Sequence, residues 1–347
     1  MTLKRIFHQP AGLLRGKKSP LQIYPILGGM SKINRLAGNP GRGELAPSGE
    51  EEATSYFFLS CGTIILNFLS DADHKIYAGW TFRPIFYSGA PMRLQNKVAI
   101  VTGGGRGLGR SIALLFGKEG AKVVLVARTQ EEIDHVATEL RVLRKEALAV
   151  PADVSDEGQV QQMVKKALEA YGTVDILVNN AGARGPIASI HEISLAEWDQ
   201  TLRVNLTSAF LCARAVLPVM MEKREGKIIN VATTLTPRPN LTPYMVAKAG
   251  MIHFTKQLSR ETKRYNIQVN AIHPGVMDTR MQEDIRKAGT KAIGTDMFER
   301  LKEEGMLHTP DEPAKLVLFL ASKAAEGITG EYLSFDDKEV KFLISQI

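Results

Sequence analysis

Val98-Ala-Ile-Val-Thr102 runs directly into Gly103-Gly-Gly-Arg-Gly-Leu-Gly109. The first five residues are β-branched or apolar throughout, which predicts a strand buried on both faces. The glycines predict a tight turn, and the residues after them a helix to about Gly117. The same alternation continues down the chain. Lys122–Ala127, Ala147–Val150, Ile176–Asn179, Lys227–Ala232 and Gln268–His273 read as further strands. Helical stretches separate them: from about Gln130, about Asp156–Tyr171, about Leu195–Met221 and about Pro243–Lys263.

Short apolar strands separated by helices of ten or more residues imply a parallel sheet with helices on both faces. The predicted fold is α/β, a Rossmann-type doubly wound sheet forming a single domain over residues 92–347. In such sheets ligands bind beyond the carboxyl ends of the strands, where the strand order reverses. Every motif discussed below falls at one of those ends.

Composition bounds the remaining choices. The chain has 347 residues, 44% hydrophobic and 23% charged, which excludes a wholly disordered or collagen-like protein. Two cysteines, Cys61 and Cys212, exclude a disulfide framework and a Cys-rich zinc site, so no metal is expected; they suit a reducing, cytoplasmic setting. The longest apolar run, Tyr56 to Leu69, is 14 residues. A membrane span needs about 18, so none is expected there. Residues 92–347 carry 34 basic against 31 acidic side chains, and residues 1–91 carry ten against six. Neither part has a dense basic stripe with interleaved aromatics, so nucleic acid is not an expected partner.

Residues 1–91 show no sustained period of two or 3.6. The first acidic residue is Glu44, after eight basic ones. Two readings stand: an organellar transit segment over residues 1–43, or an extension with no function before a working protein that starts at Met92. The second is favoured, because few serines accompany the basic residues.

The glycine turn sits between strand and helix inside a βαβ unit. Gly103, Gly107 and Gly109 permit close approach of a pyrophosphate, and the helix start at Leu108 offers free N–H groups and a positive dipole end. That predicts a dinucleotide. An NAD site places an acidic residue at the end of the second strand to hold the ribose 2′-OH. Here the sequence is Ala127-Arg128-Thr129. With no acid present and with Arg128 and Arg106 available to meet a 2′-phosphate, NADP is expected rather than NAD.

Tyr244-Met-Val-Ala-Lys248 puts a phenol and an ammonium on one helix face. A free Tyr titrates near ~10 and is a poor base at neutral pH. Nearby positive charge, from Lys248 and an oxidised nicotinamide, would favour tyrosinate; in the reducing direction the neutral phenol would donate its proton to a carbonyl oxygen. Alone, the pair is an ordinary helix turn.

It is not alone. With Thr102–Gly109, Asn179-Asn-Ala-Gly182, Tyr244/Lys248 and Pro274-Gly275, the chain resembles the short-chain dehydrogenase/reductase (SDR) family from about Leu94 to Phe335. The resemblance implies Tyr244 as acid/base, with Lys248 lowering its pKa and binding the nicotinamide ribose. Asn205 would hold a proton-relaying water. Asp153 and Val154 would contact adenine, Asn180 and Gly182 would lie beside the cofactor, and Val276 and Thr279 would meet the carboxamide. It also implies a small-molecule carbonyl or alcohol substrate and a homodimer or homotetramer. Two departures stand out. The family's usual Ser after the fifth strand is replaced within Thr233-Thr234, with Thr233 the better register and Thr234 open. Ser334-Phe-Asp-Asp337 replaces a small, Gly-rich ending.

The expected activity is therefore NADP-dependent interconversion of a carbonyl and a secondary alcohol. A 3-oxoacyl-(acyl-carrier-protein) reductase is the alternative; Lys256, Arg260, Lys263 and Arg264 could offer its acidic carrier a basic face. A non-catalytic NADP-binding sensor or scaffold is the rival from another class. The segment Val276–Leu307, with Met277, Met281, Met297 and Met306, is expected to form an adaptable apolar lid over the substrate.

Overall fold

The computed structural model describes residues 92–293 and 296–345, together with the backbone of three earlier strands, Ser55–Leu59 (β1), Gly62–Ser70 (β2) and Ile76–Trp80 (β3). The chain divides into two units, Met1–Ile85 and Phe86–Ile347. In the first, β1, β2 and β3 form an antiparallel sheet in that order. The sequence gives no sign of it, because apolar residues run on through β1 and β2 without the alternation that marks a half-buried strand. The apolar run Tyr56–Leu69 is thus divided between two strands. Residues 1–43, with the transit reading attached to them, lie outside the described residues.

The second unit is a seven-stranded parallel sheet. Its strands are Val98–Thr102 (β4), Lys122–Ala127 (β5), Ala147–Pro151 (β6), Ile176–Asn179 (β7), Gly226–Val231 (β8), Ile267–His273 (β9) and Tyr332–Ser334 (β10). Their order is β10-β9-β8-β7-β4-β5-β6. The order reverses between β4 and β7, which places the switch point beside the glycine turn.

Alternate residues of each strand feed two cores. Ala99, Val101, Val123, Leu125 and Val178 join one cluster with Gly107–Lys118 (α1), Gln130–Val142 (α2) and Asp311–Ala321 (α9). Val98, Ile100, Val124, Val126 and Leu177 join the other with Glu157–Tyr171 (α3) and Ser208–Lys223 (α5), to which Leu258 of Thr242–Thr262 (α6) adds. With both faces covered, neither parity can be polar, which is why these strands read as unbroken apolar runs.

The expected long helix over Leu195–Met221 is interrupted. Leu195–Leu202 (α4) passes through a π turn, Arg203–Thr207, before α5 begins. The whole stretch Leu195–Lys223 is long and apolar enough to cross a membrane, but Leu211, Cys212, Val216 and Met220 are buried against the sheet. Arg280–Ile293 (α7), Met297–Glu303 (α8) and Lys338–Ser345 (α10) complete the helices.

Candidate active site

The glycine turn is held from across the switch point. Thr102 Oγ1 donates to Val178 O at 3.1 Å and accepts from the backbone N–H groups of Asn180 and Ala181, both at 3.0 Å. Asn180 Nδ2 donates to Thr102 O at 2.8 Å and to Gly103 O at 3.3 Å. Gly103 has φ +65°, which favours glycine. Asn180 therefore fastens the glycine turn from the carboxyl end of β7. Arg106, at the N-cap of α1, makes no side-chain capping hydrogen bond to the helix start.

At the expected adenosine end, Arg128 is exposed just beyond β5. Arg106 is already engaged, its Nη1 lying 3.3 Å from Glu132 Oε1. Glu132 also sits against Gly105, whose missing Cβ would fall 2.7 Å from Glu132 Cβ. This carboxylate, 26 residues from Arg106, has no signature in the sequence beyond its place in the first turn of α2. Partial burial pushes the Asp153 carboxyl up, but hydrogen bonds from Ser155 and the charge of Arg128 outweigh it and hold it below the usual carboxylate value. Val154 is buried next to it.

A buried polar chain sets the register of α6. Asn179 Nδ2 donates to Asn230 Oδ1 at 2.9 Å, Asn230 Nδ2 to Thr255 Oγ1 at 2.8 Å, and Thr255 Oγ1 to Met251 O at 2.8 Å. Tying β7, β8 and α6 together this way presents the N-terminal turns of α6 to the carboxyl end of β8. There Tyr244 makes a side-chain hydrogen bond with Thr233. Thr234 turns elsewhere, its Oγ1 donating to Thr236 Oγ1 at 3.1 Å. Tyr332, on β10, donates its hydroxyl to Thr233 O at 2.7 Å.

Lys248 is 3% exposed and donates from Nζ to Val231 O at 2.7 Å. Its Nζ lies 5.9 Å from the centroid of the Tyr244 ring. Burial pulls the Lys248 ammonium down to about 8. Tyr244 keeps some accessible surface, yet burial pushes its phenol up to about 12, with the Thr233 hydrogen bond working the other way. In the protein by itself, then, desolvation outweighs any help from Lys248, and the phenol is held neutral.

Asn205 is fully buried inside the π turn. Its Nδ2 donates to Ala183 O at 2.7 Å and to Thr201 O at 2.9 Å, and its Oδ1 accepts from Ala183 N at 3.2 Å. A Cβ on Gly182 would lie 2.8 Å from Asn205 Oδ1 and 3.4 Å from Lys248 Nζ. Gly182 thus lies close to both Asn205 Oδ1 and Lys248 Nζ, where a side chain would crowd them.

Pro274-Gly275 follows β9 and leads into the segment Val276–Leu307. Thr279 lies against the glycine turn, its Cγ2 being 3.7 Å from where a Cβ on Gly107 would stand. Val276, Met281 and Met297 pack on Ile285 and Phe298. Met277 packs on the main core instead, and Met306 is 54% exposed. Two of the four methionines, Met281 and Met297, therefore join this small apolar cluster. The departure at Ser334–Asp337 has a local use: Asp336 Oδ1 lies 2.7 Å from His308 Nε2, which fastens the far end of the lid segment.

Residues 97–290 match the family model described as short chain dehydrogenase. A 3-oxoacyl-(acyl-carrier-protein) reductase from Thermotoga maritima is 34% identical over 248 residues, 71% of this chain and 98% of that protein. Levodione reductase superposes with a TM-score of 0.66 at 30% identity, over 72% of this chain and 99% of the other. A variant of the actinorhodin polyketide ketoreductase, solved with NADPH, superposes with a TM-score of 0.64 at 32% identity, over 69% and 95% of the two chains.

Proposed function

Since the chain belongs to the short-chain dehydrogenase family, we propose that it is an NADP-dependent oxidoreductase interconverting a carbonyl and a secondary alcohol on a small molecule. The observation that carries this reading is the convergence of Thr233, Tyr244, Lys248 and Asn205 beside the switch point. The bound cofactor would supply hydride to, or remove it from, the reacting carbon. The Thr233 hydroxyl orients the substrate oxygen; its methyl narrows the site compared with Ser. Tyr244 donates its proton to that oxygen during reduction and retrieves it during oxidation. Lys248 supplies positive charge next to the phenol and a donor for the ribose. Asn205 holds the backbone at Ala183 through both Nδ2 and Oδ1, and the second lone pair of Oδ1 would take a water toward Lys248. NADPH oxidation assayed across a panel of aldehydes and ketones tests the reading; a panel with no turnover under NADPH or NADH would overturn it.

Gly103, Gly107, Leu108 and Gly109 would cradle the pyrophosphate, and Asp153, Val154, Asn180, Gly182, Val276 and Thr279 would line the rest of the cofactor's course. The 2′-phosphate falls to Arg128, because Arg106 is engaged by Glu132. Arg128→Asp is expected to shift the kcat/KM ratio toward NADH by at least tenfold, about 1.4 kcal/mol. It removes a charge-assisted hydrogen bond worth about 1.5–3 kcal/mol and adds repulsion. A smaller shift, or a wild type that already prefers NADH, would remove the support for NADP.

The relative from Thermotoga maritima favours a second reading, reduction of a carrier-bound 3-oxoacyl chain. Lys256, Arg260, Lys263 and Arg264 are exposed as that reading needs. However, Lys256 and Arg260 stand 12 and 16 residues beyond Tyr244, about 18 and 24 Å along the helix axis. A carrier docked on them would sit at the far end of α6 from the reacting groups.

We further propose that residues 92–347 are the working unit. The seven-stranded sheet is complete without earlier strands, and Arg93, just ahead of β4, already pairs with Glu119 at 2.8 Å. A chain beginning at Met92 is expected to match the full chain in kcat within twofold and in Tm within about 3 °C. Insolubility, or a Tm many degrees lower, would assign residues 1–91 a structural part.

A further inference from the structure

We infer that the substrate carries a carboxylate separated from its reacting carbonyl by a short apolar stretch, and that Arg238 receives it. This rests on the oxidoreductase reading and names the substrate class for the same site. Arg238 lies on the loop joining β8 to α6, five residues after Thr233 and six before Tyr244. Its guanidinium stands 5.0 Å from the Phe298 ring centroid, and both Nη atoms lie 3.7 Å from Met297 Sδ. Both partners belong to the apolar roof formed with Val276, Met281 and Ile285. Arg238 therefore bridges the catalytic loop and the lid.

Its surroundings do not match its charge. Three of the other half-buried arginines in this unit face carboxylates, Arg93 meeting Glu119, Arg110 meeting Glu139 and Arg286 meeting Asp278, and a fourth, Arg184, donates to the Gly185 carbonyl at 2.7 Å. Among the described residues no carboxylate lies within ion-pair distance of Arg238. A thioether is a weak acceptor, and a guanidinium carries five donors. The Phe298 ring takes none of the guanidinium's donors, and an incoming planar anion would displace only the weak Met297 thioether contact from the fork. Burial pulls the Arg238 guanidinium below its ordinary value, the direction expected of a cation without a counter-ion. An anion would offset that desolvation, and a carboxylate suits the fork bidentately. The roof beside it is apolar, so the link between carboxylate and carbonyl is best a few methylenes long.

The test uses the full chain with NADPH and matched pairs of oxo acid and primary amide, with the two functions two to five carbons apart. For the best pair, the wild type is expected to favour the acid at least thirtyfold in kcat/KM, mostly through KM. Arg238→Met should cost the acid at least thirtyfold and the amide less than threefold. Equal losses on acid and amide would show that Arg238 only clamps the lid, and would overturn the inference. So would a wild type indifferent to the carboxylate. Should nothing in the panel turn over, the oxidoreductase reading fails on its own terms, and equilibrium binding still reads Arg238. Hexanoate should then bind at least tenfold more weakly to Arg238→Met while hexanamide is unchanged; an unchanged hexanoate affinity would overturn the inference independently.

Discussion

Tyr244→Phe should lower kcat at least a thousandfold, about 4 kcal/mol in barrier height, while the Kd for NADPH stays within about threefold. The substitution deletes one hydroxyl and leaves the ring, Lys248 and the glycine turn in place. The other donors described at the end of β8 are poorly placed to replace it: Thr233 is too weak an acid, the Tyr332 hydroxyl is committed to Thr233 O, and the Lys248 ammonium is directed to Val231 O. The pH dependence follows from burial. Because the phenol is pushed up to about 12, its proton is retained throughout the neutral and mildly alkaline range, so reduction keeps its acid there. Oxidation needs the tyrosinate, and its rate should climb with pH over the same range. Positive charge on the bound oxidised cofactor would move that climb downward. Stopped-flow or steady-state kcat, with fluorescence titration of NADPH, separates the two quantities. A Phe variant that keeps more than a tenth of the wild-type kcat would show that the proton comes from elsewhere.

The strands and the glycine turn were legible because local sequence and tertiary surroundings demand the same residues. β4, β5 and β7 are covered on both faces, so their central positions are apolar on both parities, and the sequence can be read without knowing which helix covers which face. Tyr244 and Lys248 were legible because a helix fixes the i, i+4 relation. What was not legible depends on partners distant in sequence. β10 is three residues long and exists only because β9 pairs with it; nothing periodic marks it. The π turn that buries Asn205 leaves no sign in the sequence, because the residues on either side are ordinary helix formers. Glu132 engages Arg106 from another helix, and Arg238 reaches Phe298 across 60 residues, so each pair becomes visible only when the fold brings it together. Val276–Leu307 was expected to act as one apolar lid; helices α7 and α8 give it a defined face, with Met281 and Met297 turned to the roof and Met306 left to solvent.

Gly109→Ala sets two effects of opposite sign against each other. Gly109 lies within α1 and is buried. Helix propensity alone favours alanine there by about 1 kcal/mol. Packing opposes it: a Cβ would stand 2.0 Å from Gly103 O and 2.5 Å from Asn180 Nδ2. Neither neighbour can give way cheaply. The first is the backbone of the turn itself, and the second is tied to Thr102 O and Gly103 O. To admit the methyl, the turn must open away from α1 or the Asn180 bonds must break, which frees the carboxyl end of β7 as well. The expected result is a loss of NADPH affinity of at least a hundredfold, about 2.7 kcal/mol, together with a lower Tm. A Gly104→Ala variant makes a useful comparison, since its Cβ would sit no closer than 3.0 Å to any neighbour; it should lose less of both. If Gly109→Ala instead raised the Tm and left NADPH affinity within threefold, the turn would be loose enough to absorb a methyl, and its part as a preformed phosphate cradle would have to be abandoned.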